Sequence, residues 1–223
     1  MGYDVSTFYF AQTGEDAILV VLFREKIIKK ERGFFIDIGA HHPFEGSNTY
    51  LLYLNGWRGI NVDASPGSMK LFRHHRPEDI NLEVGVGAKR GTFPFYMSEV
   101  SLMNTFSKEN LSRLHSLDQI KKETQVEVYP LAEILDKYVT AGQKIDLLTV
   151  DVEGLDFDVL KSNNWIKYRP SVVVVELPVT TLRDTLQNEA TRFMMDLGYE
   201  AVGKTVVGKE VASVFFVDTA FSY

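Results

Sequence analysis

Asp151 and Glu153 directly follow the apolar run IDLLTV (145–150) and precede Gly154. A carboxylate set so close to a buried run is costly to keep charged unless a cation or a proton donor compensates it. Such a group can take the proton from an acceptor hydroxyl. The pair could also hold a divalent ion that acidifies the acceptor, although no clear third ligand stands nearby in the sequence. Side chains two apart on an extended chain share a face only on a flat strand, and past its end they need not. Both are catalytic candidates, but the expectation is that only one, with Asp151 favoured, faces the reacting group. The structural alternative for Glu153 is that it caps the following helix and fixes the loop. Asp37-Ile38-Gly39-Ala40-His41-His42 forms a second group. Gly39 lets a ligand approach the backbone. No further glycine follows until Gly46, so the segment lacks the G-x-G-x-x-G cradle of a pyrophosphate. An acid beside that loop suits the sulfonium and ammonium of S-adenosylmethionine better than a pyrophosphate. His41 is a third candidate base, flanking the same loop. Asp63 lies roughly twenty residues past Gly39, near the spacing at which an acid accepts ribose hydroxyls.

These residues are chemically useful only if the chain brings them together. FFIDI (34–38), GINVD (59–63), INLEVGV (80–86), IDLLTV (145–150) and SVVVVEL (171–177) read as strands. Several are apolar throughout, as a parallel sheet covered on both faces requires. Helical segments are expected at 14–30 with Thr13 as cap, at 47–54 with Ser47 as cap, after Pro66, from Pro130 and over 182–197. TFPFYM (92–97) reads as an edge strand and VEVY (126–129) as a short one. YEAVG (199–203) and SVFFV (213–217) flank Gly208 and read as an antiparallel hairpin. Alternating strands and helices predict a doubly wound, mostly parallel α/β sheet. Ligands then bind beyond the carboxyl ends of the strands. Those ends carry Asp37, Gly39, Asp63, the Gly85-Val86-Gly87 turn, Asp151 and Glu176. Val86 would lie against the adenine. Asp156 and Asp158 read as a solvated helix face.

Composition narrows the function. The net charge of −6 argues against a broad nucleic-acid footprint. The absence of cysteine excludes thiolate chemistry and disulfides and suits a cytoplasmic protein. No apolar run approaches a membrane span, and the first residues do not read as a signal peptide. No histidine pair at metal spacing and no G-x-S-x-G elbow occurs.

The strand-end residues give the sequence a family likeness. AQTGEDAIL (11–19), FIDIGAHHPFEGSNTYLLY (35–53), GWRGINVDASPGS (56–68), IDLLTVDVEGLDFDVL (145–160) and PSVVVVE (170–176) resemble the FkbM family of class I methyltransferases. The resemblance implies a Rossmann-like, seven-stranded sheet with a reversed last strand. It implies S-adenosylmethionine as cofactor and O-methylation, often of a sugar or natural product, so the partner is a small-molecule or glycan acceptor. By motif position Asp37, Gly39 and Ala40 would line the methionine part of the cofactor. Asp63, with Ala64 beside it, would hold the ribose, and Asp151 would reach the cofactor from the centre of the sheet. Gln12 and Glu15 would close the pocket. His41 stands where many methyltransferases carry a second glycine. N-methylation is disfavoured, because Asp151-Val152-Glu153-Gly154 replaces the usual Asn-Pro-Pro-Tyr. The chain is expected to be one methyltransferase domain over 1–223, with 98–124 an acceptor-side insertion or lid. Two other classes compete: a methyltransferase fold serving as a binding module, and a nicotinamide-dependent oxidoreductase. The incomplete glycine fingerprint and the terminal hairpin disfavour the latter.

Overall fold

A computed structural model describes residues 9–99, 104–107 and 120–221. Its main sheet has seven strands. In chain order they are β1 (Phe34–Ile38), β2 (Arg58–Val62), β3 (Ile80–Leu82), β7 (Leu147–Val150), β8 (Val172–Leu177), β9 (Tyr199–Lys204) and β10 (Ala212–Asp218). The spatial order is β3-β2-β1-β7-β8-β10-β9. The first five run parallel, and β10 pairs antiparallel with both β8 and β9. The expected α/β fold with a C-terminal hairpin is therefore present.

Side chains alternate between the two faces, as a strand's two-residue period demands. Ile36, Ile38, Leu148, Val150, Val173 and Val175 pack in one core. Helices α5 (Leu131–Tyr138), α6 (Asp156–Lys161) and α8 (Glu189–Asp196) cover it. Phe35, Leu147, Val172 and Val174 face the other core. There α1 (Glu15–Leu22) and α3 (Tyr50–Leu54) supply Leu19 and Leu52. Parity thus sends Asp37 to the face opposite Ile36 and Ile38.

Several local expectations need correction. Residues 80–86 are not one strand. The chain leaves the main sheet after β3, and β4 (Gly85–Val86) pairs with β6 (Ile120–Tyr129) in a second sheet of order β4-β6-β5. There β5 (Gly91–Ser98) is an edge strand, as expected, and β6 is longer than expected. The first helix begins after Gly14, at φ 88°, and Thr13 makes no cap; its N–H and hydroxyl instead bond Glu15. That helix breaks at Phe23 before α2 (Arg24–Ile28). The segment 182–197 also divides, into α7 (Leu182–Gln187) and α8. Asn188 is extended, and its side chain accepts from the Ala190 N–H, capping a new helix rather than continuing the old one. Helix α4 (Met69–His75) starts later than Pro66 suggests.

Candidate active site

Both the β1 and β7 strand ends turn beside each other. Gly39 has φ 82°, and a Cβ there would lie 1.6 Å from the Asp151 carbonyl oxygen. The Asp151 N–H bonds the Ile38 carbonyl at 2.9 Å. A side chain at position 39 would force these two strand ends apart, so this glycine is required by the packing itself. His41, at φ 49°, takes a left-handed conformation that a glycine would adopt freely. Its N–H donates to Asp63 Oδ2 at 3.0 Å, and the Ser65 N–H donates to Oδ1 at 2.7 Å. The Asp63 carboxylate therefore pins both loops while each oxygen keeps a lone pair.

One cleft collects Gly39, His41, Asp63, Ala64, Asp151 and Glu153. Val86, Phe95 and Phe106 form its apolar side. Its volume is about 70 Å³, below the several hundred that a small-molecule ligand occupies. Asn104 and Phe106 form part of its wall. The Asn104 side chain accepts from Ser98 N–H at 2.8 Å and donates to Ser65 Oγ at 3.1 Å. Thr105 Oγ1 donates to the Glu153 carbonyl at 3.0 Å.

The remaining sequence candidates stand outside that lining. Gln12 is exposed. Glu15 is buried and accepts from Thr13, Thr205 and Ser213, tying the N-terminal segment to the terminal hairpin. Burial would raise its pKa, and hydrogen bonds from Thr13 and Thr205 outweigh that and hold it below the ordinary value. Ala40 packs with Met69 and Phe72. Asp37 accepts from Thr49 Oγ1 at 2.6 Å, and the Thr49 oxygen accepts from both Arg76 terminal nitrogens at 3.1 Å. Burial pushes Asp37 up to about 6, against the opposing pull of Thr49 and Arg76. Arg76 is fully buried and also pairs with Asp79 at 2.8 Å. It supports the floor of the site, and sequence reasoning missed it: an arginine at the end of a basic helix resembles any surface cation.

Glu176 supplies what the sequence lacked. One carboxylate oxygen from each of Asp151, Glu153 and Glu176 lies within 4.8 Å of the others. The expectation that Asp151 and Glu153 would diverge fails, because the chain turns directly after the strand end. Glu153 has φ 54° and Gly154 φ 98°, which folds the chain back. Asp156 also departs from its solvated reading. It is buried, and its oxygens accept from the Val152 and Gly154 N–H groups, holding the turn. Asp158 alone keeps the solvated role, pairing with Lys161. Burial, then the Asp151 charge, pushes Glu176 up to about 10, Glu153 to about 8 and Asp156 to about 7. Asp151 is raised by burial too, and the bond it receives from Glu176 favours its charged form. Burial and repulsion from neighbouring acids thus raise both members of the Asp151–Glu176 pair, and a proton between them relieves that repulsion. Three such oxygens match the hard-ligand set of a magnesium- or calcium-like ion.

A parallel sheet with a terminal antiparallel hairpin and a ligand cleft at its carboxyl end is the class I methyltransferase arrangement. A family model for the methyltransferase FkbM domain matches residues 37–201, and the chain belongs to that family. No curated protein matches the chain. Among solved structures, methyltransferase FkbM from Methylobacillus flagellatus KT superposes with a TM-score of 0.52 at 11% identity. That match covers 83% of this chain and 43% of the other, so this chain spans less than half the length of that relative. Precorrin-6y C5,15-methyltransferase from Geobacter metallireducens GS-15 gives 0.41 at 14% identity, covering 88% and 87%. A TehB-like SAM-dependent methyltransferase from Corynebacterium glutamicum gives 0.41 at 12%, covering 92% and 99%. At such identities the likeness is one of fold.

Proposed function

We propose that this methyltransferase uses S-adenosylmethionine and methylates an oxygen of a sugar or natural-product acceptor, and that residues 1–223 act as one domain. The observation that carries this reading is the convergence of Gly39, Asp63 and Asp151 on one cleft. The lining fits the cofactor. Gly39 keeps the loop free of a side chain, Asp63 retains acceptor capacity for ribose hydroxyls, and Val86, Phe95 and Phe106 offer an apolar slot for adenine. When bound, S-adenosylmethionine supplies an electrophilic methyl group.

Asp151 is the preferred base. Its carboxylate takes the proton that the acceptor hydroxyl sheds as its oxygen becomes an ether. Glu176 holds Asp151 in place through their shared hydrogen bond. His41 and Glu153 line the same cleft and are the other candidates. The grouping of Asp151, Glu153 and Glu176 favours a second route, in which these residues hold a divalent cation that acidifies the hydroxyl.

We assign residues 98–124 to the acceptor-side lid. Residues 100–103 and 108–119 lie outside the described residues, and the support comes from 104–107, which bond Ser65 and the Glu153 carbonyl beside the cleft. Opening of this strap accounts for how so small a cleft admits a nucleoside.

Calorimetric titration with S-adenosylhomocysteine tests the reading. Binding well below about 1 mM is expected, an affinity stronger than about −4 kcal/mol. Absence of binding at that concentration would favour a non-catalytic binding module. Binding of a nicotinamide dinucleotide instead would favour an oxidoreductase.

A further inference from the structure

A second cavity, of about 460 Å³, opens on the other side of Glu153. Glu153 lines both spaces, so the cofactor cleft and this larger cavity adjoin at that residue. The turn after β7, the end of β8, the start of α8 and the tip of the β9–β10 hairpin form its walls. Its size falls in the range of small-molecule sites.

The lining has two characters. Phe157, Leu177, Pro178, Ala190 and Val211 give it an apolar wall. Against that wall stand Glu153, Asp156, Glu176, Glu189 and Glu210, with Lys209 the single cation among the described lining residues. Glu176 and Glu153 lie on the side of the reacting groups. Glu189, in the first turn of α8, and Glu210, on the hairpin, are exposed and stand farther along the chain from the cluster at Asp151. Whatever occupies the inner carboxylates, the outer two remain to meet a ligand. The inner acids are pushed toward their neutral forms. The exposed Glu189 and Glu210 still outnumber Lys209, and this net negative mouth disfavours anions and draws cations into a cavity with apolar walls.

The geometry points to this cavity as the acceptor site, and to a hydroxylated acceptor that carries an amine. The ammonium meets Glu189 and Glu210 while the hydroxyl reaches toward Asp151 and Glu153. An acceptor bearing phosphate or carboxylate is rejected. This inference rests on the methyltransferase reading given above and adds the class of acceptor to it.

The test compares three probes of similar size: glucosamine, glucose and glucuronate. Each is titrated into the protein saturated with S-adenosylhomocysteine and followed by ligand-observed NMR. Glucosamine should bind best and glucuronate worst. The double variant Glu189→Gln, Glu210→Gln should weaken glucosamine by about threefold or more and leave glucose unchanged. Raising the salt concentration should erode the same preference. Equal binding of the three, no detectable glucosamine binding, or an unchanged preference in the double variant overturns the proposal. S-adenosylhomocysteine affinity is measured separately. Its absence would sink the methyltransferase reading, whereas intact affinity without the amine preference would sink this one alone.

Discussion

The carboxylates at the ends of β1 and β2 and those beyond β7 and β8 lie at the same end of the sheet and are treated in opposite ways. Asp63 accepts two backbone N–H groups, and Asp37 accepts a threonine hydroxyl backed by the buried Arg76. Their surroundings are donors. Asp151 and Glu176 instead face each other and Glu153, and no ion pair to a lysine or arginine reaches either of them among the described residues. Groups already satisfied by their neighbours hold a shape. Acids crowded against acids hold a field that a proton, a cation or a reacting hydroxyl can relieve. On the reading proposed above, the first pair positions and the second performs the chemistry.

The sharpest break of this contrast is Asp151→Asn, which keeps the shape and removes the charge. Methyl transfer should fall by at least ~10²-fold, while calorimetry shows S-adenosylhomocysteine affinity little changed. Near-normal turnover would remove Asp151 as base, and a parallel loss of affinity would make it a binding residue. A chelator arm separates the two routes, since only the ion-assisted one loses activity and regains it with magnesium.

Next in size is Asp37→Asn. Its folded pKa of about 6 lies above the ordinary 3.8, so the folded state binds the extra proton between those values. Above about pH 6 the buried charge is a cost, and it disappears as pH falls toward 4. The variant should therefore gain up to ~3 kcal/mol at about pH 7.5 and almost nothing at about pH 4. Denaturant unfolding at the two pH values measures this. An equal loss at both would mean that the Thr49 contact outweighs the desolvation.

Asp63→Ala should weaken S-adenosylmethionine by about 1.5–3 kcal/mol. Unchanged affinity in a folded variant would take Asp63 out of the site and blur the contrast between the two regions. The smallest effect belongs to Asn104→Ala, which removes the bonds to Ser98 and Ser65. Proteolytic cleavage within 98–124 should quicken by about fivefold, or ~1 kcal/mol, and cofactor should slow it. Equal rates in both proteins would deny Asn104 a role in holding the strap.

Much of the frame is legible in the sequence because it depends on local periodicity. The buried strands announce themselves by β-branched runs, and the reversed hairpin by Gly208 between two short apolar segments. The Gly39 turn and the acids at 63 and 151 are legible because each follows such a run directly. What escaped depends on distance or on one backbone angle. Glu176 joins Asp151 only through β7–β8 pairing, and Glu153 turns inward only because its φ is positive. Arg76 meets Thr49 across 27 residues of chain. The division of residues 80–86 between two sheets follows from β6, whose partner choice no window around residue 85 contains.

Strand β10 is late in the chain yet interior to the sheet, buried at every residue and flanked by β8 and β9. During synthesis β8 and β9 therefore emerge before the strand that joins them, and each waits with a row of unpaired amides and carbonyls. The β9–β10 hairpin closes locally, but pairing β10 with β8 closes the long loop from Leu177 to Ala212, which slows folding and leaves a sticky edge exposed meanwhile. A nascent chain halted before Ala212 has a gap where an inner strand belongs. It should depend on chaperones more than a sheet whose final strand merely adds to an outer edge.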